Sequence, residues 1–333
     1  MTSVEDNFSI NINWRPKVLV THYDTPKVAL ELLKKYCDVT ICETFELEEL
    51  LKKCKGVDGL YWSTWGAHNR LTAEVLDAVG PQIKSISVCS AGFDFVDLEE
   101  IKKRKIPLGY AAKVLNNSVA DIAVGLAIAA SRRFYEGRQN IEQSAWEKRP
   151  QWMLGQDIRG STVGIVGFGG IGQTIAKRLT GFDVGQFLYS GHNKKPEADK
   201  IGAKFVPFSE LATKSDFIFV ICPLTSETYK LFNAGVFDKM KPTSVLVNVA
   251  RGDVVDQEAL YDALKKKKIF AAGLDVMTPE PLPADHPLMS LSNCVIIPHL
   301  GAATTQTRNA MAMVAAINVL SGLADQPMHS PAY

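Results

Sequence analysis

Three residues in the second half of the chain together supply a cation, a carboxylate and a group that can donate a proton near neutral pH. Arg251 follows the apolar run SVLVNVA, Glu280 lies in TPEPLP after FAAGLDV, and His299 ends the run CVIIPH. One reaction that would use this set is reduction of a small 2-keto acid, which needs a cation for the substrate carboxylate or carbonyl, and the planar fork of arginine suits that role. It also needs a general acid such as histidine, and a carboxylate that favours the charged form of that histidine.

Each of these residues also has a purely structural interpretation. A histidine at a strand end can be a hydrogen-bonding residue of the fold, an arginine before Gly-Asp can cap a turn, and a glutamate between prolines can be a solvated loop residue. All three follow apolar runs that predict buried strands, and ligands bind at the carboxyl ends of such strands. Their shared placement favours a catalytic site. Four other histidines lack this setting and are expected to be structural: His22, His68, His286 and His329.

A glycine-rich turn predicts the site of a hydride carrier. The segment TVGIVGFGGIG has Gly167, Gly169 and Gly172 in the G-x-G-x-x-G positions. These glycines permit a tight turn, a close approach of the backbone to a pyrophosphate, and close packing of helix on strand. An apolar strand precedes the turn and a helical pattern follows it, which is the context of a dinucleotide site. The same turn places Phe168, Gly170 and Ile171 at the cofactor.

The loop after the next apolar run bears on which dinucleotide binds. An NAD site usually places Asp or Glu about 20 residues after the glycines, on the ribose 2′-hydroxyl. Here the run QFLYS is followed by GHNKKP, which contains no carboxylate. The loop instead supplies Ser190, His192, Asn193, Lys194 and Lys195, which would attract a 2′-phosphate. This predicts NADPH over NADH, with a solvated polar loop as the alternative.

The elements around these motifs predict parallel sheets covered by helices, because short β-branched runs alternate with helical patterns along most of the chain. One α/β series runs from Lys17 to about Tyr110, and a second begins at Ser161. Its apolar runs are TVGIVG, QFLYSG, KFVPF, DFIFVICP, SVLVNVA, FAAGLDV and CVIIPH. Between the two series, VADIAVGLAIAA predicts a buried helix that continues into a polar tail.

The ends of two helices can also be predicted. Ser118 followed by Asp121 has the spacing of a capping box and would open the buried helix. A last helix is expected from Ala302 to Ala324.

The composition is that of a soluble globular protein. The chain has 333 residues, 46% hydrophobic and 22% charged, with a formal net charge of +1. Chains above about 300 residues usually form more than one domain. The balanced charge gives no reason to expect a nucleic-acid or membrane partner. The N-terminal segment lacks the basic-then-apolar profile of a targeting signal, and the six cysteines form no C-x-x-C pair. We therefore expect a cytoplasmic protein with reduced thiols and no metal site.

In combination, the motifs resemble those of the D-2-hydroxyacid dehydrogenase family, and within it the eukaryotic glyoxylate/hydroxypyruvate reductases. STVGIVGFGGIG, NVARGDVVD, AAGLDVMTPEPLP and PHLGAAT occur in this order at family-like spacing. The resemblance covers the chain from about Lys17 to Met328. It implies two doubly wound α/β domains with parallel sheets. A Rossmann-type NAD(P) domain at 114–300 would be inserted into a flavodoxin-like substrate domain formed by 1–113 and 301–333.

The resemblance also implies site residues. Arg251, Glu280 and His299 would be catalytic, and Arg251 and His299 would contact the substrate. Backbone N–H groups of Ala91 and Gly92, and of the Ser63–Gly66 loop, would hold the substrate carboxylate. Asp275 would contact the nicotinamide amide, with a strand-end cap as the alternative role. Further cofactor contacts are expected at Cys222, Pro223, Val249, Ala250 and Gly301.

Two further expectations follow from the family. Val119 stands where the family usually has a threonine, so one hydroxyl contact to the cofactor would be lost. The family is typically dimeric, and Trp146 and Trp152 would then be interface anchors, reach toward the neighbour's active site, or be ordinary packing aromatics.

The leading hypothesis is NADPH-dependent reduction of hydroxypyruvate to D-glycerate and of glyoxylate to glycolate. A lining of Ser63, Thr64 and Ser90 would suit the polar side chain of hydroxypyruvate. A phosphoglycerate dehydrogenase is one alternative, although Arg70 is the only clear basic candidate for a substrate phosphate. A dinucleotide-sensing protein like the C-terminal-binding-protein corepressors is another, although those proteins usually carry long flanking tails.

Overall fold

The computed structural model describes residues 10–63 and 70–333, and this part of the chain divides into two compact α/β units. The smaller unit comprises the chain up to Leu115 and again from Thr304 onward, and the larger unit is Asn116–Ala303. None of the helices in the described ranges is long and apolar enough to cross a membrane.

The elements alternate between strand and helix along the chain. The strands β1 to β12 are Lys17–Val20, Asp38–Ile41, Gly59–Trp62, Ser85–Val88, Leu108–Tyr110, Thr162–Val166, Gln186–Ser190, Lys204–Phe205, Phe217–Val220, Val245–Asn248, Ala271–Leu274 and Cys294–Ile296. The helices α1 to α11 are Lys27–Tyr36, Leu47–Lys53, Ala73–Val79, Leu98–Lys103, Asn116–Ser131, Phe134–Glu142, Gly170–Leu179, Phe208–Lys214, Ala234–Phe237, Gln257–Lys265 and Thr305–Leu323. Short 3-10 turns lie at Thr180–Phe182, Pro196–Ile201, Gly252–Val254 and Pro287–Ser290.

The smaller unit has a parallel sheet in the order β2-β1-β3-β4-β5, which is the flavodoxin-like arrangement. Successive residues of a strand point to opposite faces, so each strand serves two cores. Tyr61 packs in one core with α1 and α11, whereas Leu60 and Trp62 pack in the other with α2, α3 and α4. The expectation of a doubly wound sheet is confirmed.

The larger unit has a parallel sheet in the order β12-β11-β10-β9-β6-β7-β8. The seven apolar runs of the second series form it, as the sequence predicts. The first three strands of the unit lie side by side in the order β8-β7-β6. The later strands, β9 to β12, continue the sheet on the other side of β6. This is the Rossmann arrangement. Ala272 and Leu274 of β11 pack with α10, while Gly273 between them faces Leu126 of α5, so helices cover both faces.

The start of the buried helix differs from the sequence prediction. The predicted capping box of Ser118 and Asp121 is wrong, because α5 begins at Asn116, two residues before Ser118. Ser118 is buried and its Oγ donates a hydrogen bond to the carbonyl oxygen of Gly301 at 2.7 Å. Asp121 forms an ion pair with Arg178 of α7. Both polar side chains are thus used for contacts between elements rather than for capping.

The polar segment after this helix also differs from the sequence prediction. α5 ends at Ser131, and Arg133 has a φ of 56°, in the left-handed region. A new helix, α6, begins at Phe134. The predicted continuous extension is therefore two helices, because a left-handed residue cannot continue a right-handed helix.

The last helix begins at Thr305, three residues later than predicted, because the side chain of Thr304 accepts a hydrogen bond from the N–H of Thr307 and caps it. After α11 the chain returns to the edge of the sheet. The N–H of Tyr110 donates to Ser330 O at 3.0 Å, and the N–H of Ala332 donates to Leu108 O at 2.8 Å. The C-terminal residues therefore cover the open edge of β5.

A buried polar side chain in α11 holds this arrangement. Asn318 is completely buried, and its amide donates to Ser87 Oγ at 3.3 Å and to Tyr110 O at 3.2 Å. Its oxygen accepts the N–H of Ser330 at 3.0 Å. Asn318 thus ties the helix, two strands and the C-terminal segment together.

Replacing Asn318 by alanine should lower the free energy of unfolding by about 2 kcal/mol, because buried backbone groups lose their partners. Urea denaturation would measure the change. Gln306→Ala, on the exposed first turn of the same helix, should change it by less than about 0.5 kcal/mol. Equal stability of Asn318→Ala and the unaltered protein would contradict this role.

Candidate active site

The three predicted catalytic residues belong to the larger unit and follow neighbouring strands. Arg251 comes after β10, Glu280 after β11 and His299 after β12, and these strands pair in parallel. Their carboxyl ends therefore meet at one edge of the sheet, as the sequence predicts from the apolar runs.

The imidazole of His299 and the carboxylate of Glu280 form a close pair. His299 Nδ1 lies 2.7 Å from Glu280 Oε2, and both side chains are about one-third exposed, at 28% and 32%. The other carboxylate oxygen, Oε1, accepts the N–H of Met277 at 3.0 Å. Both oxygens of Glu280 are therefore held. Because Nδ1 points to Glu280, proton donation to a substrate would come from Nε2.

The charge of Glu280 is set by opposing effects. Burial raises the pKa of its carboxyl, but the hydrogen bond and charge of His299, the Met277 N–H and the charge of Arg251 outweigh burial and leave the pKa below its ordinary value. Glu280 is thus a carboxylate at neutral pH. A carboxylate in this position favours the protonated form of the imidazole.

The backbone around His299 is fixed by Asp275, directly after β11. Asp275 is buried, and its two carboxylate oxygens accept the N–H groups of Leu300 at 2.6 Å and Gly301 at 2.9 Å. The N–H of His299 donates to Asp275 O at 2.8 Å, and His299 has a φ of 52°. Burial raises the pKa of Asp275, and the two N–H groups counteract this effect in part. Asp275 therefore caps the turn that carries His299.

The loop that carries Arg251 is fixed by Asn248, the last residue of β10. The Asn248 amide donates to Arg251 O at 2.9 Å, and its oxygen accepts the N–H of Ala250 at 3.0 Å. Arg251 Nη1 donates to Ala250 O at 2.8 Å. At Gly252 the backbone packs so closely on Met277 that a Cβ there would overlap the Met277 carbonyl group. The loops of Arg251 and Glu280 are thus in direct contact.

The glycine-rich turn lies between the ends of β6 and β9, where the strand order reverses. Gly167 has a φ of 97°, and a Cβ there would lie 2.8 Å from the backbone nitrogen of Cys222. Phe168 is buried against Tyr189, and α7 begins at Gly170 without a side-chain cap. A Cβ on Gly169 would meet no protein atom within 4 Å. The helix N-terminus and its open approach fit a dinucleotide pyrophosphate.

The predicted ribose loop follows β7. Ser190 is buried, and His192, Asn193, Lys194 and Lys195 are exposed. The N–H of Lys195 donates to the hydroxyl of Tyr189 at 2.9 Å, which anchors the end of this loop. The sequence contains no carboxylate in this loop, but the fold brings one from elsewhere. His192 Nδ1 lies 4.0 Å from Glu227 Oε2, in the loop after β9.

Comparison with known proteins supports the reading of these motifs. The profile of the D-isomer specific 2-hydroxyacid dehydrogenases, NAD binding domain, matches residues 124–301. The chain belongs to this family. The larger unit is accordingly a domain that binds a nicotinamide dinucleotide.

Individual members of the family are similar over most of the chain. The chain is 47% identical over 278 residues to human glyoxylate reductase/hydroxypyruvate reductase, with 83% of this chain and 85% of that protein covered. It is 40% identical over 316 residues to a glyoxylate reductase of Thermococcus onnurineus, with 92% of each covered. The predicted resemblance to the eukaryotic reductases is confirmed.

Solved structures agree in fold. An NADPH-dependent glyoxylate/hydroxypyruvate reductase from Sinorhizobium meliloti, in complex with NADP and malonate, superposes with a TM-score of 0.84 at 31% identity, covering 96% of this chain and 97% of that one. A Thermus thermophilus protein, TT0316, has a TM-score of 0.86 at 37% identity and covers 95% and 100%.

In this dehydrogenase, the remaining cofactor candidates lie in the larger unit. Cys222 is buried, which raises the pKa of its thiol to about 11, and Pro223 beside it is exposed. Val249 and Ala250 are buried after β10. Val119, at the position where the resemblance implies a threonine, is buried and packs beside Gly301. Among the described residues, no group of His, Cys, Asp and Glu side chains is arranged to hold a metal ion.

The substrate candidates lie in the smaller unit, after β3 and β4. The N–H of Ser63 donates to Thr21 Oγ1 at 2.9 Å, at the point where the strand order of this sheet reverses. Ser90 Oγ donates to Gly92 O at 2.6 Å, which closes a tight turn, and Ala91 is exposed at its tip. Thr64 and the rest of the predicted Ser63–Gly66 loop lie outside the described residues.

The sequence did not predict the contacts that four residues make around the site. Asn248 and Gly252 flank Arg251 within NVARGD, so the motif itself carried a signal for them. Ser118 and Glu227 are close to their partners only in the fold, and no local pattern indicates them.

The contact between Gly252 and Met277 leads to a stability prediction. Gly252→Ala should lower the free energy of unfolding by about 2 kcal/mol, because the backbone of two loops must move apart. Thermal unfolding would measure it. Gly181→Ala is a matched control, since a Cβ there meets no atom within 4 Å. If both variants melted at the same temperature, the close contact would be contradicted.

Proposed function

We propose that this dehydrogenase reduces small 2-keto acids with a preference for NADPH, converting hydroxypyruvate to D-glycerate and glyoxylate to glycolate. The observation that carries the proposal is the Glu280–His299 pair at 2.7 Å, at the strand ends that also carry Arg251. The human relative is named as a reductase of both keto acids and the archaeal relative as a reductase of glyoxylate, and the Sinorhizobium neighbour is described as NADPH-dependent.

The chain's own residues would divide the work. The bound nicotinamide would supply the hydride to the keto carbon. His299 would then donate a proton to the developing alkoxide oxygen, while ionised Glu280 stabilises the imidazolium form. The Arg251 guanidinium would bind the substrate carboxylate or polarise its carbonyl. In the smaller unit, the backbone N–H groups of Ala91 and Gly92 are proposed to bind the substrate carboxylate, as the family resemblance implies. The N–H of Ser63 is not included, because it donates to Thr21 Oγ1.

The cofactor would be held mainly by backbone. The turn from Gly167 to Ile171 and the start of α7 would bind the pyrophosphate, because their N–H groups and the helix dipole favour negative charge. Cys222, Pro223, Val249, Ala250, Asp275 and Gly301 are proposed as the remaining contacts. The 2′-phosphate would meet Ser190, His192, Asn193 and Lys194, with Lys195 beside them.

Steady-state oxidation of NADPH and of NADH, with hydroxypyruvate and then glyoxylate, tests the proposal. We expect turnover of both keto acids and a higher kcat/KM with NADPH. Equal efficiency with the two cofactors would refute the NADPH preference but leave the reaction intact. Absence of turnover with a wider panel of keto acids, despite binding of the dinucleotide, would instead support a sensor.

The role of His299 can be tested in the same assay. His299→Gln should lower kcat by about 100-fold or more, since a general acid contributes at least about that factor, while the dissociation constant for NADPH is unchanged. His329→Gln, an exposed histidine near the C-terminus, should behave like the unaltered enzyme. Normal turnover by His299→Gln would overturn the assignment.

A homodimer is proposed as the working form. Three apolar side chains in and after α6 are largely exposed: Phe134 at 59%, Ile141 at 58% and Trp146 at 68%. A contiguous exposed apolar patch is typical of a protein interface, and we propose that these three side chains belong to one. Light scattering should give about twice the chain mass of 36.5 kDa. A mass of one chain at micromolar concentration would contradict the dimer.

A further inference from the structure

We propose that Glu227 sets the ratio of the protein's affinities for NADPH and NADH. Its carboxylate would repel the 2′-phosphate of NADPH and accept a hydrogen bond from the ribose 2′-hydroxyl of NADH. The inference rests on the proposed function, because it takes the loop of His192 as the ribose site. It adds a specificity-determining residue that the loop's own sequence does not contain.

The carboxylate reaches this loop from across the glycine-rich turn. Glu227 follows β9 and His192 follows β7, and β6 lies between these strands in the sheet. Glu227 Oε2 is nevertheless only 4.0 Å from His192 Nδ1. The two side chains are 74% and 75% exposed, so both are open to a ligand. The pair therefore places one negative charge beside a loop that is otherwise cationic and polar.

The position of Glu227 is determined by its own loop. Thr228 Oγ1 donates to Pro223 O at 2.6 Å and accepts the N–H of Thr225 at 2.8 Å. The N–H of Tyr229 donates to Thr225 O at 2.9 Å. These bonds close a compact turn on either side of Glu227. The backbone that carries the carboxylate is thus fixed near His192.

A carboxylate at this place acts differently on the two cofactors. A ribose 2′-hydroxyl can donate a hydrogen bond to it, which is how NAD sites in this fold use Asp or Glu. A 2′-phosphate carries up to two negative charges and cannot donate when fully ionised, so it is repelled. This repulsion lowers the affinity for the phosphorylated ribose.

The size of the effect follows from the exposure of the pair. Exposed charges a few ångströms apart in water interact weakly, and salt screens them further. Removing the charge of Glu227 should therefore change affinity for a 2′-phosphate by about threefold to tenfold at low salt. A larger change would require a buried pair, which this is not.

The experiment uses two fragments of the cofactors as probes. Isothermal titration calorimetry would measure binding of 2′,5′-ADP and 5′-AMP to the full-length protein, to Glu227→Gln and to Glu197→Gln. Glu197 is an exposed carboxylate in the 3-10 turn after the His192 loop, so its replacement changes the net charge equally. In Glu227→Gln, we expect tighter binding of 2′,5′-ADP and equal or weaker binding of 5′-AMP. The ratio of the affinity for 2′,5′-ADP to the affinity for 5′-AMP should rise about threefold to tenfold in Glu227→Gln, relative to the unaltered protein. The same ratio should not change in Glu197→Gln.

The outcomes separate this inference from the proposed function. The affinity ratio of the unaltered protein tests the preference for NADPH, and the change of that ratio in Glu227→Gln tests the role of Glu227. An unchanged ratio in Glu227→Gln, or an equal change in Glu197→Gln, would overturn the inference. So would a change that is as large in high salt as in low salt, because the effect would not be electrostatic.

Discussion

The site depends on one buried carboxylate, that of Asp275. Its oxygens accept the N–H groups of Leu300 and Gly301, and its carbonyl accepts the N–H of His299. The strand end is thereby joined to the turn in which His299 has a positive φ. A buried charge is costly unless hydrogen bonds compensate it, and these N–H groups do so. Ser118 Oγ binds the Gly301 carbonyl from α5 and restricts the turn further.

The orientation of the imidazole follows from this backbone. With the turn held by β11 and α5, the His299 ring meets Glu280 at Nδ1, and Glu280 is itself held by the Met277 N–H. The close approach of Gly252 to Met277 joins the loop of Arg251 to the same assembly. The three proposed catalytic side chains are thus positioned by contacts between the main chains that carry them. Such support is what keeps a catalytic group in a productive geometry.

Much of this could be predicted because several signals are local. Strands that are buried on both faces appear as continuous apolar runs, and all seven runs of the larger sheet are strands. Gly167 and Gly169 are recognisable because a turn between strand and helix restricts residue type. Arg251, Glu280 and His299 each follow such a run. Their meeting at one sheet edge could be inferred from the rule for parallel strands alone.

The wrong cap prediction and the contacts that the sequence did not indicate have a different cause, which is that they are not local. Ser118 has the spacing of a helix cap, yet its hydroxyl binds Gly301, 183 residues away. Glu227 lies near His192 only in the fold, where β9 and β7 are on either side of β6 and the loops that follow them meet. Asn318 is a polar residue in the buried, largely apolar second half of α11, and its partners lie on β4, β5 and the C-terminal segment. Contacts of this kind depend on the complete fold, so no window of sequence contains the information.

The discontinuous smaller unit has a consequence for how the protein is made. One face of its sheet is covered by α1 and α11 and its last edge by Ser330 and Ala332, and both α11 and this edge segment leave the ribosome after the larger unit. The larger unit, whose residues are continuous in the chain, is complete before then. Domains fold as units during translation. The dinucleotide-binding domain is therefore the part that can fold first, while the sheet of β1 to β5 has one apolar face covered only in part, by α1, until α11 is synthesised.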